Sequence, residues 1–204
     1  MKFLVIVDMQ NDFCYTGKLA NPEAVKVIPF IKEQLEHARK NGTRIIYTRD
    51  THGSNYLETL EGINLPFPHC LKDSQGWEIV DELAPKAPIA VYDPGKPMKL
   101  DEQAPTELII NKLHFGFDEW KKFIPENSEV TMVGTCTDIC VISNALAIKA
   151  IEGVKVTILA EGCAGLTKEK HDHALDVMDS CQCKIIQDLS AVVAEENKAQ
   201  EAGA

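Results

Sequence analysis

Short apolar runs that stop abruptly at a polar residue recur along this chain, and they limit its fold more than any other feature. Phe3-Leu4-Val5-Ile6-Val7 stops at Asp8, residues 44–49 stop at Asp50-Thr51-His52, and residues 107–111 stop at Lys112. Glu129-Val130-Thr131-Met132-Val133 leads into Gly134-Thr135-Cys136, and residues 155–160 lead into Glu161-Gly162-Cys163. A continuous apolar run, rather than an alternating one, suits a strand whose two faces are both covered by helices. Helical patterns lie between these runs. Ile28, Ile31, Leu35 and Ala38 share one face of a helix that should start near Pro29 and end at Asn41-Gly42. Ala145, Leu146, Ile148 and Ala150 continue a second helix to Gly153, and residues 168–180 form an amphipathic third with His171 and His173 on its solvated side. The alternation predicts an α/β fold, a three-layer α/β/α arrangement around a mostly parallel sheet.

The remaining segments are less regular. Residues 53–73 lack periodicity, and a loop of that length inside a compact domain is usually functional. Residues 77–83 and 118–124 read as short helices. Residues 84–99, with four prolines, read as a connector with a strand at 89–92. Residues 184–187 read as a last strand, with Cys181 and Cys183 beside it as packing residues. Residues 1–190 are expected to form one domain and residues 191–204 a frayed acidic tail.

Composition removes some function classes. A net charge of -10, spread along 204 residues, argues against nucleic acid and anionic membrane surfaces as partners. No apolar run approaches the roughly 18 residues of a membrane span. The N-terminal run is too short for a signal peptide, so the seven cysteines are expected to stay reduced in a cytoplasmic protein.

Chemistry is expected at one edge of the sheet. Right-handed crossovers place every strand-to-helix tip on the same rim, where open α/β sheets hold their sites. Asp8, Asp50, Lys112 and Cys140 all follow from such tips. Thr137 and Asp138 are good N-caps, which places Cys140 in a first helical turn, where unpaired N–H groups and the helix dipole should lower a thiol's pKa. Lys112 would stabilise the thiolate by charge, and Asp8 would exchange protons with the thiol and the leaving group. Asp50 and His52 offer an oxygen and a nitrogen within reach of one ion, and His69, late in the 53–73 loop, could complete the set.

These motifs resemble the isochorismatase-like cysteine hydrolases, and within them the nicotinamidase branch, over nearly the whole chain. The resemblance is carried by Asp8-Met9-Gln10-Asn11-Asp12-Phe13, Asp50-Thr51-His52, Pro68-His69-Cys70, Lys112 and Gly134-Thr135-Cys136-Thr137-Asp138-Ile139-Cys140-Val141. It implies a catalytic triad of Asp8, Lys112 and Cys140, and a divalent ion on Asp50, His52 and His69, with zinc favoured over iron or manganese. It implies a cis peptide between Thr135 and Cys136, an oxyanion site on the N–H groups of Cys136 and Cys140, and Phe13 on the pocket wall. The expected activity is hydrolysis of nicotinamide to nicotinate and ammonia in NAD salvage, by a homo-oligomer acting on a small amide. The alternative is another amide or carbamoyl hydrolase of the same family. The chain departs from the branch in two places. Leu113-His114-Phe115-Gly116-Phe117 follows the lysine where Tyr-Ser-Ala-Phe is usual, and Glu61 is the nearest candidate for a fourth ligand.

Overall fold

The computed structural model describes residues 1–86, 88–96 and 107–192. Seven parallel strands form one sheet in the order β3-β4-β2-β1-β5-β6-β7: β1 Lys2–Val7, β2 Arg44–Asp50, β3 Ile89–Tyr92, β4 Glu107–Lys112, β5 Glu129–Thr135, β6 Lys155–Ala164 and β7 Lys184–Ile186. The expected acidic tail falls almost wholly outside the described residues, and so do residues 87 and 97–99 of the connector. Helices α1 (Asn11–Cys14), α2 (Pro22–Lys40), α3 (Leu60–Asn64), α4 (Ile142–Lys149) and α5 (Lys168–Ser180) complete the regular structure.

The central strands β1, β2, β4 and β5 are buried on both faces, as their unbroken apolar runs require, while the edge strand β3 exposes Ile89 and Val91. Leu4, Ile6, Tyr47, Ile109 and Val133 meet Ala24, Ile28, Ile31 and Leu35 of α2. Val5, Val7, Ile46, Ile110 and Met132 meet Ala145 and Ile148 of α4 and Leu175 and Met178 of α5. The layers are therefore α2, sheet, and α4 with α5. Among the described residues no helix is long and apolar enough to cross a membrane.

Several local expectations change. Helix α2 begins at Pro22, with Asn21 accepting from the Glu23 N–H, so Pro29 lies inside it. The Asn21-Pro22 pair is the stronger start signal because it combines a capping side chain with a residue that needs no N–H partner. Residues 77–83 form no helix. They are split into 3-10 turns at Gln75–Trp77 and Asp81–Leu83, because the chain between them bridges to Gln10 through Ile79. Residues 118–124 shorten to a single 3-10 turn at Trp120–Lys122, and the 53–73 loop contains the turn Tyr56–Glu58 and α3. Cys183 is buried as expected, but Cys181 is exposed.

Consecutive strands leave β1 in opposite directions, β2 on one side and β5 on the other, so the switch point of the sheet lies between β1 and β5. Gly134 opposes Val7 there with φ +128°, and a Cβ on it would stand 2.2 Å from the Val7 carbonyl oxygen. Only glycine permits that approach. It brings the chain after β5 against the end of β1. The peptide between Thr135 and Cys136 is cis, as the resemblance implied.

Asn144, fully buried on α4, holds the next loop in place. Its Oδ1 accepts from the Phe117 N–H (2.9 Å) and the Trp120 indole (3.1 Å), and its Nδ2 donates to the carbonyls of Phe115 (3.0 Å) and Cys140 (2.8 Å). Asn144→Leu leaves two donors and two acceptors unpaired. At about 1–3 kcal/mol for each buried group left unsatisfied, partly relieved by entering water, the net loss is predicted at about 2–4 kcal/mol in urea unfolding.

Candidate active site and metal centre

Asp8, Asp50, Lys112 and Cys140 meet at the rim, as their strand-tip positions predicted. Asp8 turns out of β1 with φ +47° and is fully buried. The Thr48 hydroxyl donates to its Oδ1 at 2.7 Å. The Lys112 ammonium, also fully buried, stands 2.7 Å from Asp8 Oδ2, 3.2 Å from Asp50 Oδ1 and 3.8 Å from Cys140 Sγ, and donates to the His114 carbonyl at 3.1 Å. Its approach to Asp8 Oδ2 lies off the direction of a hydrogen bond, so that oxygen has a counter-ion but no directed donor.

Burial reshapes the charges. It pushes the Asp8 carboxyl above the ordinary range, against the pull of Lys112. Asp50 shares the same burial, but Lys112 and the His52 and His69 rings hold it well below. Burial would lower Lys112, yet Asp50, Asp8 and Cys140 together raise it well above its usual value.

The expectation for Cys140 is overturned. Burial pushes its thiol well above the ordinary value, and Asp8 and Asp50 act in the same direction against Lys112. The local geometry also differs, since Cys140 sits in a π-turn (Thr137–Val141) ahead of α4. Thr137 and Asp138 do not cap that turn. The Thr137 hydroxyl pairs with His171 Nδ1 at 2.8 Å, and Asp138 Oδ1 accepts from the Leu166 N–H at 2.9 Å. His171 is consequently half-buried rather than solvated.

Asp50, His52, Glu61 and His69 present ligand atoms within 4.8 Å of one another. Asp50 Oδ2 lies 3.0 Å from His52 Nε2 and 3.5 Å from His69 Nε2, and Glu61 Oε1 lies 3.5 and 3.7 Å from the same nitrogens. His69 Nδ1 is 2.9 Å from the Phe67 carbonyl. That contact assigns its proton to Nδ1 and turns the Nε2 lone pair toward the cluster. Glu61 Oε1 is buried without a hydrogen-bond partner. An orphaned carboxylate oxygen beside two imidazoles and a second carboxylate fits a divalent cation. Glu61 is thus the fourth member of the cluster. Tyr56 stacks edge-on against both histidines, and Phe13, at 5.5 Å from the His69 ring, flanks them.

Two supporting residues were not foreseen. Gln10, fully buried, donates to the carbonyls of Asp50 (2.9 Å) and Trp77 (2.8 Å) and accepts from the Asp50 N–H (2.8 Å). Asp12 reads as a turn residue, yet its Oδ2 accepts from the Cys70 N–H at 2.8 Å and so fastens the segment bearing His69. Both roles depend on backbone groups of distant segments, which no local pattern marks.

An all-parallel sheet with a thiol, an acid and an amine at its switch point, beside a cluster fit for a divalent cation, has the arrangement of a small-molecule hydrolase. The chain belongs to the isochorismatase family, whose domain matches residues 2–188. The Escherichia coli nicotinamidase is 27% identical over 86% of this chain and 89% of its own. The Saccharomyces cerevisiae nicotinamidase is 29% identical over 79% and 87%. The pyrazinamidase of Pyrococcus horikoshii, solved in complex with zinc, superposes with a TM-score of 0.70 at 29% identity, covering 92% of this chain and 99% of that one.

Two predictions follow from the geometry. Gln10→Met removes the two hydrogen bonds that fix the Asp50 backbone and a third to the Trp77 carbonyl, and zinc affinity by titration calorimetry should fall about 10–100-fold; an unchanged isotherm would refute the link. Lys112→Met removes the cation that restrains the Cys140 thiol, so iodoacetamide alkylation of Cys140 should require a still higher pH than in the native chain. An unshifted alkylation profile would contradict it.

Proposed function

We propose that this protein is a metal-assisted cysteine amidohydrolase that converts nicotinamide to nicotinate and ammonia. The observation that carries the reading is the fully buried Lys112, held within 3.8 Å of Cys140 Sγ and in contact with both Asp8 and Asp50, next to the Asp50–His52–Glu61–His69 cluster. Asp50, His52, Glu61 and His69 would hold a divalent ion, which would supply a Lewis-acid anchor for the substrate ring beside Cys140. The zinc complex of the Pyrococcus horikoshii relative favours zinc among the metals that an oxygen–nitrogen set accepts.

The chain's own residues account for the rest. The Cys140 sulfur attacks the carboxamide carbon while Asp8 Oδ2 takes the thiol proton. Burial raises the basicity of Asp8, which suits it to that transfer. Lys112 offsets the negative charge that passes between acid and sulfur. The oxyanion rests on the N–H groups of Cys136 and Cys140, donors typically worth about 10²–10³ in rate each. Asp8 returns its proton to the nitrogen, the C–N bond breaks, ammonia leaves, and a thioester remains on Cys140. Water then attacks that thioester and gives a proton to Asp8. The C–S bond breaks, nicotinate leaves, and Asp8 re-protonates the sulfur. Phe13, beside His69, flanks the ring.

The departure at Leu113-His114-Phe115 supports a second reading, the same chemistry on a different small amide. Ammonia release from nicotinamide, pyrazinamide and simple carbamoyl compounds separates the two. Turnover is expected to fall at least about 10³-fold in Cys140→Ala and to disappear on chelation, returning with added zinc. Undiminished release from Cys140→Ala would end the proposal.

A further inference from the structure

A cavity of about 390 Å3 opens beside the cluster, lined by His52, Glu61, Leu60, Leu65, Leu113 and Phe115 among others. Neither Asp8 nor Cys140 lies on its wall, so a carboxamide seated at Cys140 leaves it free. It still belongs to the same site. Two of the four cluster residues line it, and so does His114, whose carbonyl takes the Lys112 ammonium.

Its wall is unusually apolar for a surface opening. Leu60 is 77% exposed, Leu113 50% and Phe115 44%. Exposed apolar side chains scattered singly require no explanation, but here several converge on one cavity next to buried polar groups. Leu113 and Phe115 belong to the segment Leu113-His114-Phe115-Gly116-Phe117, in which the chain departs from the usual nicotinamidase sequence after the lysine. The backbone that carries Phe115 is fastened to α4, because the Phe115 carbonyl accepts from Asn144 and the Phe117 N–H donates to it. The apolar wall is therefore a built feature of the fold.

We propose that this cavity is a subsite for an apolar substituent on the substrate ring, so that the enzyme prefers alkyl-substituted aromatic carboxamides to the bare ring. The inference rests on the amidase reading and names its substrate class. An alkyl group that leaves water for this wall gains transfer free energy in proportion to its area, equivalent to about fourfold per methylene at full burial and less in a half-open mouth.

The test is steady-state ammonia release by the zinc-loaded protein from pyridine-3-carboxamide and from derivatives bearing methyl, ethyl or propyl at each ring carbon in turn. In at least one series kcat/KM should rise about two- to fourfold with each added carbon. The double variant Leu60→Ser, Leu113→Ser, altered at exposed positions that the core does not need, should bring the propyl-to-unsubstituted ratio toward one. Rates that stay level or fall in every series, while the bare ring is still hydrolysed, would overturn the subsite and leave the amidase reading standing. A ratio unchanged in the double variant would also overturn it. No ammonia from any compound would overturn the amidase reading and this inference with it.

Discussion

The buried ammonium of Lys112 is the constraint on which the site depends. Removing such an ion from water costs several kcal/mol, and the cost is offset only if opposite charges and acceptors are supplied with good geometry. Here they come from three neighbouring strands. Lys112 ends β4 and pairs in register with Asp50 at the end of β2, while Val7, paired with Thr48 of β2, delivers Asp8 at the end of β1. The adjacency of β4, β2 and β1 and the charge balance of the site are thus one requirement. A slip of one residue in either ladder would turn an acid to the wrong face of the sheet and leave the ammonium unpaired.

Asp50 gives this arrangement a second consequence. Its Oδ1 faces Lys112 and its Oδ2 faces the two histidines, so one carboxylate belongs to both centres. Gln10 locks the backbone that carries it, and the Thr48 hydroxyl orients Asp8. The polar network around Lys112 is closed by Asp8 directly after β1, Thr48 and Asp50 of β2 and Lys112 of β4. Of the cluster, Asp50 alone lies in a strand, and His52, Glu61 and His69 come from the connection after β2. Tyr56, whose hydroxyl donates to the Leu65 carbonyl, packs that connection against the histidine rings.

Much of this was legible in the sequence because strand tips announce themselves: an apolar run that ends in Asp, Lys or a Thr-Cys pair places the polar group at the rim. The layers followed from the same runs. What could not be read were groups whose partners lie far along the chain. Asn144 looks like one more helix residue, and its role appears only when the Phe115–Trp120 segment is brought beside it. His171 sits among charges on α5 and turns inward only because Thr137 is there to meet it. Trp77, Ile79, Val80 and Leu83 have a spacing compatible with a helix. The Gln10 contacts to Trp77 and Ile79 instead fix an extended segment between two turns.

The thiol is the instructive failure, because the local rule pointed the wrong way for a physical reason. A cysteine near a helix start should be acidic when the dipole acts on an exposed sulfur. Cys140 is 5% exposed and sits among two carboxylates and one ammonium, so desolvation and acid repulsion outweigh the dipole and the single cation. The same burial raises the proton affinity of the neighbouring Asp8 carboxylate. In the proposed reaction Lys112, 2.7 Å from Asp8 Oδ2 and 3.8 Å from Cys140 Sγ, limits the cost of moving a proton between them. On that proposal, nucleophilicity is created at the moment of attack, when a substrate carbonyl is present to receive the charge.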